Sequence, residues 1–362
     1  MKKALNKANI QVNRTLRRIR GMGLQVATQK TAAIAFTKKQ IRKDVFIQVD
    51  KDIIKIGKQI KYLGVILDSK LRFHQHFQYI TEKATQTMNA LRGLIPNLRG
   101  PEMRKRRLYG HVILSILLYA APVWSKKFSK AYKGLSKPSQ NKIARTLAQR
   151  AISAYRSVSI DAASIIAKFF PLDLAADTRR RIFLRIRETR NMETTEGTTE
   201  RTIRQKETNR AISQWEHRLL KEKNMSGKWT KDGILPHFKD WIKCNHNYCN
   251  YRITQLLTNH GSLNIHLARI QKRQSDKCQT CTQTRDDAHH VLFECPLWKT
   301  ERDKFRLSLD VVQFPSNFRE LIKVTLQNKT NWKALAHFAN NVKRSTIIST
   351  LGVERPRNGG RF

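Results

Sequence analysis

Four residues near the end of the chain have the types and spacing to hold a metal ion. Cys278 and Cys281 are two residues apart, His290 follows after eight more, and Cys295 after four, in the string CQTCTQTRDDAHHVLFECP. A tetrahedral zinc site takes two ligands from a tight Cys-x-x-Cys turn and two from a neighbouring element, and thiolates with imidazole suit the borderline softness of Zn2+. His289 competes with His290 for the remaining position, since either leaves a workable separation from Cys295. The bland alternative is three unrelated cysteines beside a histidine pair, which so close a grouping disfavours. With all four positions filled by protein there is none left for water, so the zinc would be structural and not catalytic. Cys244, His246 and Cys249 lack a Cys-x-x-Cys pair and read as buried or incidental thiols.

Other chemistry is harder to find. Nucleotidyl transfer requires two metal ions about 3.5–4 Å apart on neighbouring carboxylates. The one adjacent aspartate pair, Asp286–Asp287, lies inside the cysteine loop with no strand before it, while Asp44, Asp50, Asp52 and Asp68 are isolated and read as turn or edge residues. No P-loop, no Pro-Asp string leading to Glu-x-Lys, and no Ser-His-Asp or Cys-His arrangement is present. No residue of this chain is therefore expected to form a polymerase centre by itself.

The elements that would position the cysteine cluster belong to a long and very basic chain. Its 362 residues fit two or three domains. Lys and Arg number 71 against 27 Asp and Glu, a formal charge of +44. A compact body so charged repels itself unless a polyanion neutralises it, which points to nucleic acid as the partner. The longest apolar run, residues 112–124, contains Pro122 and is too short to span a bilayer, so it reads as a buried helix and no membrane is expected. The basic start, MKKALNKANIQVNRTLRRIR, never passes into an apolar stretch, so no secretory signal is read. Five cysteines, three of them grouped, argue against a disulfide framework.

Along the chain, residues 9–20 read as the end of a basic helix. Three strands are expected within 22–67, carried by GLQVATQKTAAIAF, VFIQV and KYLGVILD, with turns near Gly23 and at Asp50–Lys51. The period then changes: Phe73, Phe77, Ile80, Ala84, Met88 and Leu91 recur at helical spacing, stopped by Pro96 and Gly100–Pro101. Further helices are expected over 103–118, along Ile143, Leu147, Ala151 and Tyr155, and over 177–190, where arginine takes most non-apolar positions. Residues 188–209 are rich in Thr and Glu and poor in large apolar side chains, the composition of a linker. The arginine- and glycine-rich tail is expected to be disordered.

Several stretches, in one order, resemble non-LTR (LINE-type) retrotransposon reverse transcriptases of the jockey-like, ribosomal-DNA-inserting branch. KYLGVILDSKLRFHQHFQYI (61–80) is similar to the family's passage from palm to thumb, and GLQVATQKTAAIAF (23–36) to its palm motif with Lys before Thr. LLYAAPVWS (117–125) and AYRSVSIDAASIIAKFFPLDL (154–174) resemble thumb segments, and SGKWTKDGILPHFKDW, RITQLLTNHGSLNIHL and CQTCTQTRDDAHHVLFECP the C-terminal region with its Cys-Cys-His-Cys knuckle. The resemblance implies a predominantly helical α+β fold. It places a palm remnant at 1–70, a helical thumb at 71–188, a linker at 189–205, a zinc-knuckle domain at 206–345 and a disordered basic tail at 346–362.

It also favours His290 as the fourth ligand, and matches Lys30 to a palm lysine that assists leaving-group protonation and Tyr62, Leu63 and Gly64 to the primer grip. Phosphate contacts are expected from Arg104, Lys105, Arg106 and Arg107 and from Arg179, Arg180, Arg181 and Arg185. The family's metal-binding aspartates lie upstream of the match to 23–36, so Mg2+ is expected only in a full-length member and this chain alone is expected to be inactive. Implied partners are RNA and DNA, specifically element RNA and chromosomal target DNA, in the nucleus. Two other readings stand beside this one: a free-standing zinc-knuckle nucleic-acid-binding protein, and an inactive truncated remnant of an element.

Overall fold

A computed structural model describes residues 2–37, 44–96, 100–131, 137–191, 199–222 and 225–350. The fold is α+β and predominantly helical, as expected. The chain opens on a 20-residue helix, α1 (Lys2–Gly21), ended by a turn with Gly23 at φ +74°. Leu5, Ala8, Val12, Leu16 and Ile19 recur at three and four residues on one side of α1, and that side packs on strand β2 (Phe46–Val49). The backbone NH of Gln48 also donates to Asn9 Oδ1 (3.2 Å).

The sheet has the order β1-β3-β2, where β1 is Ala33–Ile34 and β3 is Asp52–Gly57. β1 runs parallel to β3, and β2 pairs with it antiparallel, Phe46 opposite Lys55 and Val49 opposite Asp52. Here the expected pattern needs correction. The stretch 23–36 contributes only two strand residues, because Thr28–Lys30 winds into a 3-10 turn. β3 was not foreseen. It is the return arm of a tight hairpin turned at Asp50 (φ +60°), and both its termini and Ile53 are exposed. A second hairpin, β4 (Gln59–Tyr62) with β5 (Val65–Asp68), turns at Leu63 and Gly64, both at positive φ.

Asp68 is the turn residue the sequence implied. Its carboxylate accepts from the backbone NH groups of Lys70 (3.0 Å), Arg72 (2.8 Å) and Phe73 (2.6 Å). Burial opposes its charge, but these donors hold the carboxyl below its usual range. The bonds aim α2 (His74–Ala90) back over β5. Phe77, Ile80, Ala84 and Met88 form its buried stripe.

The apolar run at 112–124 is not one helix. α3 (Met103–Leu117) and α4 (Ala121–Ala131) meet at 80°, with Ala120 at φ +51° and Trp124 Nε1 donating to Tyr119 O (2.8 Å) across the bend. Among the described residues no single helix is long and apolar enough to cross a membrane. Trp124, Phe128 and Phe77 instead meet edge to face, centroids 5.1–5.5 Å apart, in the core.

His76 is buried against Trp124, and its Nδ1 accepts from the Ile66 NH (3.4 Å). Burial pushes its imidazole down to about 4. The unfolded chain takes up this proton near the ordinary value of 6.5 and the folded chain does not, so stability is lost as pH falls from 6.5 towards 4. Urea unfolding between pH 7 and 4 is expected to show a loss that His76→Gln reduces by about 3 kcal/mol, at 1.36 kcal/mol per pKa unit. An equal loss in the variant would remove His76 from the acid response.

The remaining helices are α5 (Lys137–Ala151), α6 (Ile160–Ala167), α7 (Leu172–Asn191), α8 (Glu200–Lys221), α9 (Lys228–Ile234), α10 (Phe238–Lys243), α11 (Tyr251–Thr258), α12 (Asn264–Arg269), α13 (Lys299–Ser308), α14 (Phe318–Gln327) and α15 (Lys329–Thr350). Tyr155, expected to end the stripe of α5, lies beyond the helix, which stops at Ala151. One continuous core runs from Val65 to Val342, crossed by bonds such as Trp241 Nε1 to Ile165 O (3.0 Å) and Thr254 Oγ1 to Ile152 O (2.6 Å).

The expected linker, 189–205, is helical at both ends, and its middle, 192–198, lies outside the described residues. α8 starts early because Thr199 caps it, accepting from the Thr202 NH (3.3 Å), and because Ile203 is buried. Of the expected tail, 346–350 belong to α15 and 351–362 lie outside the described residues.

Candidate metal centre

The Cys-x-x-Cys pair sits on a short reverse turn. Lys277 and Arg285 pair antiparallel, Cys278 N donates to Thr284 O (2.8 Å), and Thr282 N donates back to Cys278 O (2.8 Å). Thr282 takes φ +52° to close the turn. The other two candidates come from one turn of π-helix, His290–Glu294, in which Cys295 N donates to His290 O (2.8 Å). In an α-helix residues five apart diverge by roughly 140°. The wider π-turn, a form found often at functional sites, brings His290 and Cys295 to one side and so explains their spacing.

The ligand atoms of Cys278, Cys281, His290 and Cys295 lie within 4.8 Å of one another. The sulfurs of Cys278 and Cys281 are 3.8 and 4.0 Å from that of Cys295. A tetrahedron with Zn–S bonds of about 2.3 Å has edges of about 3.8 Å, so the separations fit that ion. His290 Nε2 is buried without a hydrogen-bond partner, while Nδ1 lies 3.1 Å from the Glu294 carboxylate. That is the arrangement of a ligating histidine, one nitrogen for the metal and the other held by a carboxylate that fixes its tautomer. Without metal, burial pushes the Cys295 thiol up to about 12. For Cys278 burial acts the same way but is outweighed by the backbone NH groups of Cys281 and Thr280, which lower it.

His289, the rival on spacing, is half-exposed and outside the cluster, its ring 6.3 Å from that of Trp229 and its Nδ1 3.2 Å from the other Glu294 oxygen. Both aspartates of the 286–287 pair are occupied in local structure. Asp286 accepts from the Asn264 NH (2.9 Å) at the start of α12, and Asp287 from the His290 NH (2.8 Å). Cys249 is buried, its thiol pushed up to about 12 by burial, and Cys244 is half-buried.

Across 273 residues the chain is 24% identical to the retrovirus-related Pol polyprotein of a type-1 retrotransposable element R1 from Bradysia coprophila, covering 71% of this chain and 26% of that protein. It is 25% identical over 289 residues to the corresponding R1 4 polyprotein of Nasonia vitripennis, covering 75% of this chain and 70% of that one. A probable RNA-directed DNA polymerase from transposon BS of Drosophila melanogaster matches at 34% over 103 residues, 28% of this chain and 11% of that protein. Over most of its length this chain is similar to Pol polyproteins of R1 retrotransposable elements, and over a shorter stretch to a transposon RNA-directed DNA polymerase. It thus spans about a quarter of the length of the Bradysia relative. No protein-family profile and no solved structure matches it.

The positions singled out by resemblance to retrotransposon reverse transcriptases fall unevenly. Tyr62, Leu63 and Gly64 form the tip of the β4–β5 hairpin, with Tyr62 61% and Leu63 74% exposed. Tyr119 OH donates to Leu63 O (2.9 Å), and its ring stands 3.1 Å from where a Gly64 Cβ would be, so glycine is required by φ +80° and by this approach. Lys30 is exposed at the end of the 3-10 turn, not on a strand.

The expected phosphate contacts lie in differing surroundings. Arg106 is buried, and its guanidinium donates to the carbonyls of Ile95, Pro96, Pro101 and Arg150, tying the start of α3 to the end of α5. Arg181 bonds Asp177 and Glu207, Arg185 bonds Glu207 (2.7 Å), and Arg180 bonds Asp177 (3.1 Å). Arg179 donates to Leu118 O (3.0 Å), and Arg107 is half-buried. Arg104 and Lys105 remain exposed, the former over the Tyr248 ring at 4.4 Å. Spacing gave no sign of Glu207, while a carboxylate four residues after His290 was the one available clue to Glu294.

Proposed function

We propose that this chain is the nucleic-acid-handling, C-terminal portion of a retrotransposon RNA-directed DNA polymerase that acts in target-primed reverse transcription in the nucleus. It binds template–primer or target nucleic acid, RNA and DNA both, and holds one structural zinc through Cys278, Cys281, His290 and Cys295. The observation that carries this reading is a Cys3His cluster with an unpartnered, buried imidazole nitrogen, in a chain homologous to Pol proteins over most of its length. The exposed Tyr62–Leu63 tip supports a primer-contacting role for the hairpin, since an aromatic and an apolar side chain presented together offer a stacking surface. Mg2+ and the two-metal chemistry belong to a full-length protein. Asp286 and Asp287 are both engaged as caps, which supports this reading.

Purified protein mixed with a primed RNA template, Mg2+ and dNTPs is expected to bind the template without extending the primer. Extension exceeding that of a Lys30→Ala, Tyr62→Ala control would overturn the claim of inactivity. Failure to bind either RNA or DNA would overturn the nucleic-acid reading.

A further inference from the structure

We infer that the outward face of α1 is a docking ridge for the phosphate backbone of nucleic acid, a proposal that rests on the nucleic-acid reading above. α1 contains seven cations, Lys2, Lys3, Lys7, Arg14, Arg17, Arg18 and Arg20, and no acidic residue. They are not spread evenly. At 100° per residue the apolar side chains that face β2 centre about 150° away from Lys3, Lys7, Arg14 and Arg18. Those four and Arg17 are all exposed, and among the described residues none of the five forms an ion pair. Arg20, at the edge of the packed side, is the exception, bonded to Asp50.

This arrangement is costly for the helix alone. Lys3–Lys7 and Arg14–Arg18 are like charges at i,i+4 and Arg14–Arg17 at i,i+3, each opposing the helix by several tenths of a kcal/mol. On α7, Arg180, Arg181, Arg185 and Arg190 have acidic partners and Arg179 a carbonyl, and Arg106 has carbonyls. The α1 ridge has neither, so its charge is left for an external polyanion. Asn6, Gln11 and Asn13, also exposed beside it, add neutral donors of the kind that hydrogen-bond phosphate and sugar.

A membrane surface fits less well. Helices that lie on bilayers bury their apolar side among the lipids, and the apolar side of α1 is partly taken up by the sheet, with Leu16 buried and Leu5, Ala8, Val12 and Ile19 half-buried. From Lys3 to Arg18 the ridge is about 22 Å long at 1.5 Å per residue. Duplex nucleic acid offers one phosphate charge per about 1.7 Å of axis, so five contacts fit within that length. The ridge reads charge and not bases, so it takes either strand type without sequence preference.

The test compares three full-length proteins: wild type, the quintuple variant Lys3/Lys7/Arg14/Arg17/Arg18→Gln, and a control with an equal loss of charge on exposed cations elsewhere, Arg306/Arg319/Lys323/Lys329/Lys333→Gln. Glutamine has nearly the helix propensity of lysine and arginine, so α1 is retained and circular dichroism checks it. Binding to a labelled oligonucleotide is measured from 50 to 200 mM salt. Five phosphate contacts contribute about 4.5 to the log–log salt slope on duplex and about 3.5 on single strands. Wild-type affinity is therefore expected to fall on the order of 10²-fold more than that of the α1 variant across this range, while the control keeps the wild-type slope. An α1 variant with the wild-type slope, or a control flattened equally, would overturn the ridge while leaving nucleic-acid binding intact. Wild type that binds phosphatidylserine vesicles but no oligonucleotide would overturn both.

Discussion

Full-length protein carrying Cys295→Ser is expected to purify without zinc and with much of its helical signal lost, whereas the wild type carries one zinc per chain. The polar string between Cys281 and His290 offers no apolar side chain larger than Ala288, so burial cannot close that loop. Metal binding worth about 10–16 kcal/mol in zinc-finger peptides is comparable to the whole stability of an ordinary domain, about 5–15 kcal/mol. Closing the loop also seats Val291, Leu292 and Trp298 in the core, against which α13 packs, so the loss spreads beyond the four ligands. His290→Ala is expected to behave like Cys295→Ser, while His289→Ala and Cys244→Ser keep the ion. Glu294→Gln is expected to keep it with 10–100-fold weaker affinity, because the carboxylate that orients the imidazole is gone. The thiol protons must leave before zinc binds. With the Cys295 thiol pushed up to about 12 by burial, protons compete strongly, so affinity falls as pH is lowered below neutrality. Zinc stoichiometry, and circular dichroism during chelation, read these outcomes, and zinc and structure retained in Cys295→Ser would reject the ligand set.

That ligand set was legible because metal chemistry restricts both residue type and spacing, and a rule so strict survives without structural context. The choice of His290 over His289 was not fixed by spacing. It is made by a π-turn, which has no sequence signature of its own, and resemblance supplied the answer in advance. Helices with a strong apolar period, such as α2, were legible to within a residue or two. The sheet was not. β1 is two residues long, and β3 alternates only between exposed and half-buried positions, so neither carries the signal of a buried strand. The apolar run at 112–124 hid a bend of 80°, since a core that surrounds both halves makes every position apolar and erases the period. Leu297 is 56% exposed beside the buried Trp298, because the 3-10 turn at Pro296–Trp298 rotates it outward. The partners of the arginines were not legible. Composition shows that a helix is rich in cations but not whether a carboxylate distant in sequence already holds them, and Glu207 is 26 residues from Arg181.

Glu207 is therefore the residue whose loss is expected to cost most outside the metal centre. It stands on α8 within the segment that composition marked as linker, yet only 2% of its side chain is exposed, and its two oxygens bond Arg181 Nε (2.6 Å) and Arg185 Nη1 (2.7 Å) on α7. Replacing it with alanine leaves Arg181, 12% exposed, without one of its two acidic partners in a site that water reaches poorly. Breaking a buried pair from one side costs about 3–5 kcal/mol, most of it from the stranded charge and not from the lost attraction. Two further variants separate these terms. Arg185→Ala removes a half-exposed partner and is expected to cost no more than about 1 kcal/mol. Arg181→Met combined with Glu207→Leu removes both buried charges and is expected to restore most of the stability lost in Glu207→Ala, because apolar pairs of similar volume replace buried ion pairs at little cost. Urea unfolding of the three variants measures this, and the salt slope of nucleic-acid binding for Arg185→Ala is expected to match wild type. A loss below about 1 kcal/mol in Glu207→Ala would mean that α7 and α8 are held together by their apolar contacts alone, and would return Arg181 and Arg185 to the surface available for phosphate.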